Sequence, residues 1–327
     1  MARAFDVTFT AYDEEEPGEK WLENFNGCRE RWTTWATARQ TGDRPSHDAC
    51  RRAIGDHMPE FLDSHDRMVA LCDSDPIIGQ HISYGGGPPL ISGCSVLALP
   101  GPPVTLLRSY DFTERYFDAL IARTRWTGKR VLAMREGAGG CLDGVNEDGL
   151  TAALTFGGDF AHAVGFAIPM LVRYVLETCR DVEQAIAALA RMPSAGVQKI
   201  ILQDRSGASA VVYLRPGRPA TTVREAMVTN HQETAPAKDH DATRSVARKT
   251  CLDRLTDRTP DEALRAFMQP PLHHANFRGW FGTLYTALYE PEAGKANYCW
   301  ANDEWEQSFD AFEEGRRVVW FTEETAR

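Results

Sequence analysis

The chain changes character at residue 94, and that change constrains its fold more than any other feature. Before it, apolar residues recur near helical spacing: Trp21, Phe25, Trp32 and Trp35, then Ile54, Met58, Phe61, Leu62, Met68 and Leu71. Residues 18–72 are therefore expected to be mainly helical. After it, short apolar runs predict strands at 96–99 and 104–107, joined by Pro100-Gly101-Pro102-Pro103, a hairpin signal. Further strands are expected at 131–134 and 151–156. Helix returns over 165–191, where Asp181 offers a cap-like acid. Strands are then expected at 198–204, 208–214 and 225–230, helices at 242–256 and 260–268, and late strands at 280–290 and 318–322. Strand blocks separated by helix blocks imply a layered α+β architecture.

The chain has 327 residues, 43% of them hydrophobic, enough for one large domain or two ordinary ones. A net charge of −10 argues against nucleic acid or an anionic membrane as partner. No run approaches the ~20 apolar residues of a spanning helix. The opening Met1-Ala2-Arg3-Ala4-Phe5-Asp6 has no signal-like apolar core, so a cytoplasmic location is expected. Eight dispersed cysteines without a Cys-x-x-Cys pair read as reduced thiols. His162, His273 and His274 form no set with metal-ligand spacing, and Gly137-Ala138-Gly139-Gly140 lacks the Gly-Lys-Ser/Thr of a phosphate loop. Neither a metal nor a cofactor is expected.

Cys94 follows Gly93, behind the loop Gly85-Gly86-Gly87-Pro88-Pro89. A thiol needs a base to act at neutral pH. If the Gly93–Cys94 bond is cut, the freed α-amine of Cys94, with a reference pKa of about 8, can be that base. Arg108 would favour the thiolate, and Asp111 would orient the amine. Spacing alone leaves this open: Arg108 and Asp111, three apart on a strand-like segment, point to opposite faces unless a bulge intervenes. A surface ion pair is the other reading.

Four pieces then carry a resemblance: Gly93-Cys94-Ser95, Leu107-Arg108-Ser109-Tyr110-Asp111-Phe112, Leu142-Asp143-Gly144-Val145-Asn146-Glu147-Asp148-Gly149-Leu150, and Val228-Thr229-Asn230-His231 followed by Ser245-x-x-Arg248. In this order they resemble the isopenicillin N acyltransferase-like proteins, self-processing N-terminal nucleophile (Ntn) hydrolases related to penicillin V acylase and bile salt hydrolase. Ser95, Ser109 and Gln232 depart from the family pattern. The resemblance implies a four-layer αββα sandwich with a helical N-terminal segment. It implies cleavage at Gly93–Cys94 into residues 1–93 and 94–327, with Cys94 as nucleophile. Arg108 and Asp111 are then assigned to the Cys94 pocket, Asn230 to an oxyanion site, and Arg248 either to site organisation or to a helix surface. Asn146, Phe156 and His231 would shape the substrate pocket, as would Trp280 and Phe281 if they are not core. Asp143, Gly144 and Gly149 read as hairpin residues.

The function expected is that of a cysteine amidohydrolase or acyltransferase acting on a small amide or thioester through an S-acyl enzyme, with the cleaved N-terminal piece as its own partner. Two rivals stand beside it: an acyl-CoA-dependent N-acyltransferase of a small amine, and a catalytically silent metabolite-binding protein of the same fold. Acyl group, amine and oligomeric state are not legible.

Overall fold

The computed structural model describes residues 4–38, 45–81, 92–231, 243–277 and 282–322. The loop at 85–89, Gln232, Trp280 and Phe281 lie outside them. The order of elements is β1 (Ala4–Asp13), α1 (Glu19–Ala38), α2 (His47–His57), α3 (Leu62–Leu71), α4 (Pro76–His81), β2 (Gly93–Leu99), β3 (Thr105–Phe112), β4 (Leu120–Thr124), β5 (Val131–Glu136), β6 (Gly140–Asn146) and β7 (Thr151–Phe156). There follow α5 (Ile168–Thr178), α6 (Val182–Ala190), β8 (Gln198–Gln203), β9 (Ser209–Arg215), β10 (Arg218–Val223), β11 (Met227–Val228), α7 (Ser245–Leu252), α8 (Pro260–Phe267), β12 (Gly282–Glu290), β13 (Lys295–Trp300), β14 (Asp303–Ser308) and β15 (Gly315–Thr322).

The strands form two sheets, one in the order β10-β9-β8-β7-β6-β5-β4-β1-β15 and one in the order β11-β2-β3-β12-β13-β14. β2 approaches β7 between the sheets, α5 and α6 cover the larger sheet, and α7 and α8 cover the smaller. The result is the expected four-layer αββα sandwich. Covering on both sides explains why β2, β3, β5, β6 and β7 are buried along their whole length and lack polar alternation.

Local signals set several ends. Asp181 caps α6 by accepting from the amide of Gln184 at 2.9 Å. Thr259 and Glu262 make a reciprocal capping box on α8. The helical stretch expected at 47–72 is broken at Met58, because Pro59 disfavours helical geometry in the residue before it.

Two expectations are corrected. The segment before Cys94 is not only helical. Phe5, Val7, Phe9 and Ala11 alternate, and β1 sits inside the larger sheet, parallel to β4 and antiparallel to β15. Asp143-Gly144 is not a turn either. Both lie within β6, and a Cβ on Gly144 would stand 2.7 Å from the carbonyl oxygen of Leu132 on β5. Strand–strand proximity therefore selects that glycine. The turn falls later, where Gly149 has a φ of 83°. Among the described residues no helix is long and apolar enough to cross a membrane.

Candidate active site

β2 pairs with β3 so that Gly93 faces Asp111, Cys94 faces Tyr110 and Val96 faces Arg108. Alternation then puts Cys94, Arg108 and Tyr110 on the face toward the larger sheet, and Ser95, Ser109 and Asp111 on the face toward α7. No bulge on β3 reverses this, so the site straddles the strand pair.

On the inter-sheet side, the Cys94 thiol is fully buried. It lies 3.6 Å from Arg108 Nη2 and 3.7 Å from the hydroxyl of Ser92. Arg108 is buried too. Its Nη1 donates to Asp143 and, at 2.7 Å, to the hydroxyl of Tyr285; its Nη2 also reaches the carbonyl of Leu154 at 3.4 Å. Asp143 additionally accepts from Tyr285, at 2.5 Å, and from Tyr289. The guanidinium stacks over the Tyr110 ring at 4.4 Å.

Burial pushes the Cys94 thiol up, and Arg108, the next largest influence, pulls it back only in part, while Asp111 adds to the rise. The arginine's help is limited because its charge is shared with Asp143. In the continuous chain the thiolate is therefore disfavoured.

Around the backbone of Cys94 the groups converge. Its amide donates to Asn230 Oδ1 at 2.9 Å, and its carbonyl accepts from Arg248 Nη1. Arg248 also donates to Ser95 Oγ at 2.9 Å and to Asn230 Oδ1 at 2.5 Å. Asn230 Nδ2 donates to the carbonyl of Phe156 at 3.2 Å, which leaves one amide hydrogen for another acceptor. Ser245 Oγ accepts from the amides of Asn230, at 2.7 Å, and His231, at 2.9 Å, and pairs with His231 Nδ1 at 2.9 Å. Gly158, with φ of 79°, admits this turn: a Cβ there would lie 2.5 Å from the carbonyl oxygen of Asn230.

The expected residues thus divide. Cys94, Arg108, Asn230 and Arg248 are joined by direct contacts, and Phe156 joins through its carbonyl. His231 sits behind Asn230 on Ser245. Asp111 makes no described hydrogen bond to Cys94; it accepts from Thr283 Oγ1 at 2.7 Å and pairs with His274 Nε2 at 3.3 Å. Burial would raise its pKa, but His274, through its charge and hydrogen bond, together with Arg248 and Thr283, holds it below the usual carboxylate range.

Asn146 corrects the expectation of a pocket residue. Its Nδ2 donates to the carbonyls of Leu176 and Cys179, its Oδ1 accepts from the amides of Asp148 and Leu150, and so it ties the β6–β7 turn to the end of α5. Asp143, Ser245, Tyr285, Thr283 and His274 escaped the sequence reading as site residues. Asp143 carried a signal inside its motif, but Asp-Gly was taken for a turn. Ser245 stands in the Ser245-x-x-Arg248 motif without a role of its own, and Tyr285, Thr283 and His274 lie more than a hundred residues from Cys94 with no local pattern. Among the described residues no group of three His, Cys, Asp or Glu side chains could hold a metal.

Two packed sheets between helical layers, with a Gly-Cys pair heading a central strand, define the Ntn-hydrolase class of fold. A sequence model of the acyl-coenzyme A:6-aminopenicillanic acid acyl-transferase family matches residues 101–305, more than half of the chain, and the chain belongs to that family. The matched span contains Arg108, Asp111, Asn230 and Arg248, and begins just after Cys94. No curated protein sequence matches. Similar solved structures include penicillin V acylase from Agrobacterium tumefaciens, at 16% identity over 66% of this chain and 86% of that one, TM-score 0.46. A mutant conjugated bile acid hydrolase from Clostridium perfringens is similar at 13% identity over 71% and 97%, TM-score 0.48. The Caenorhabditis elegans N-acylethanolamine-hydrolyzing acid amidase ortholog is similar at 14% over 69% and 99%, TM-score 0.47.

Proposed function

We propose that the protein is a self-cleaving cysteine amidohydrolase or acyltransferase with Cys94 as its nucleophile. The observation that carries this reading is the convergence on one cysteine: its amide on Asn230, its carbonyl on Arg248 and its thiol beside Arg108. An inert buried cysteine needs none of these partners.

In the first stage the Cys94 thiol adds to the carbonyl of Gly93. The Gly93–Cys94 C–N bond breaks, giving a thioester, and water hydrolyses it. A Gly93 carboxylate and a free Cys94 amine remain, and the chain divides into 1–93 and 94–327. In the second stage the amine takes the thiol's proton as the sulfur attacks a substrate amide or thioester. Asn230 donates its remaining amide hydrogen to the oxyanion, an interaction worth about 3 kcal/mol in comparable sites. The amine returns the proton to the leaving group, and the S-acyl enzyme passes its acyl group to water or to a small amine. The family's acyl-CoA and aminopenicillanic acid chemistry makes a small amine a reasonable acceptor. Eight dispersed cysteines without a Cys-x-x-Cys pair fit a reducing compartment such as the cytoplasm.

The test is to incubate purified protein with acyl-CoAs and acyl amides and quench in acid. The reading expects the acyl mass on the peptide that begins at Cys94, and amide product when an amine is added. Turnover with no acyl adduct, undiminished by Cys94→Ala, contradicts it.

A further inference from the structure

Asp111 sits opposite Gly93 in the β2–β3 register, and it is held by two side chains that the four motifs do not contain. Thr283 Oγ1 donates to Asp111 Oδ1 at 2.7 Å, and His274 Nε2 stands 3.3 Å from Asp111 Oδ2. These two holders are themselves locked together. The amide of His274 donates to Thr283 Oγ1 at 3.0 Å, and the amide of Thr283 donates to the carbonyl of His274 at 2.8 Å. The close approach depends on Gly282, where a Cβ would lie 2.9 Å from the His274 carbonyl oxygen. The segment after α8 is thereby pinned to β12, with its imidazole aimed at the carboxylate. The ring is 19% exposed, while Asp111 is fully buried.

We propose that His274 is a positioning residue that clamps Asp111 beneath the Gly93–Cys94 bond. This rests on the reading of Gly93–Cys94 as a self-cleavage site. A carboxylate with one oxygen on a hydroxyl and the other on an imidazole has a single rotamer, and still has lone pairs for the Cys94 nitrogen.

The test uses the full chain and needs no external substrate. Wild type, His274→Gln, His274→Ala and Cys94→Ala are made by cell-free synthesis, chased at neutral pH, and followed by intact mass for the 94–327 piece. His274→Gln keeps a neutral donor. It should cleave within about threefold of wild type, because a donor to Asp111 is retained. His274→Ala should be about tenfold slower, with a melting temperature near wild type if its role is positioning. His274→Ala cleaving as fast as wild type, or His274→Gln cleaving as slowly as His274→Ala, while Cys94→Ala stays uncut, overturns the clamp alone. If wild type does not cleave, or Cys94→Ala does, the clamp falls together with the cleavage reading.

Discussion

The side-chain oxygen of Asn230 accepts from both the backbone amide of Cys94 and the guanidinium of Arg248, which also holds the Cys94 carbonyl. Asn230 thereby holds the backbone nitrogen of the nucleophile directly and its carbonyl through Arg248. Asn230→Ala should leave the buried Cys94 N–H and Arg248 short of an acceptor, destabilising the fold by about 1–3 kcal/mol. Chain cleavage and any acyl turnover should fall by about 10²–10³. Denaturant melts and mass time courses check both. An unchanged cleavage rate would remove Asn230 from the site.

The Arg108–Asp143 pair is buried on both sides. Arg108→Met strands Asp143 among Tyr285 and Tyr289 and should cost about 3–5 kcal/mol. Arg108→Met/Asp143→Leu should recover much of that stability without restoring activity, since the cation beside Cys94 is still missing. Equal stability of the single and double variants would contradict a paired role.

Glu136 supplies a pH test. Burial, and then the charge of Asp118, push its carboxyl well above the usual range. A group whose folded pKa is raised stabilises fully below its unfolded value, near 4.3, and loses that contribution as pH rises toward the folded value. Glu136→Gln should therefore raise the melting temperature at pH 7–8 and have little effect near pH 4. A gain that is largest in acid would have the wrong sign.

The position of β1 between β4 and β15 predicts how the cut protein behaves. The 1–93 piece should stay with 94–327 through gel filtration and leave only in denaturant. The 94–327 piece alone should not refold, because its sheet would be split down one side. Recovery of a folded 94–327 piece by itself would contradict this.

The layers were legible because strand and helix blocks are long and compositionally distinct on either side of residue 94. β1 was equally legible by its alternation, but the chain start was read for targeting and not for a strand. β4, β6, β10, β13 and β14 were missed; β6 carries turn residues that serve close strand packing instead. At the site, motif order pointed to Cys94, Arg108, Asn230 and Arg248, which do lie in contact. Strand alternation without a bulge puts Asp111 on the face opposite Arg108, whereas the resemblance assigned both to the Cys94 pocket. The Asp111 partners His274 and Thr283 are set by tertiary pairing across more than 160 residues, for which no local pattern exists. Asn146 misled because an asparagine that satisfies a turn and a helix end looks, in sequence, like one that binds a substrate.

The central claim is that Cys94 cuts its own chain, and intact mass of purified wild type beside Cys94→Ala tests it most directly. The account predicts two co-purifying pieces, 1–93 and 94–327, from wild type, and a single uncut, inactive chain from Cys94→Ala. An uncut wild type with acyl-transfer or amidase activity, or a Cys94→Ala chain that is still cut at Gly93, would contradict it.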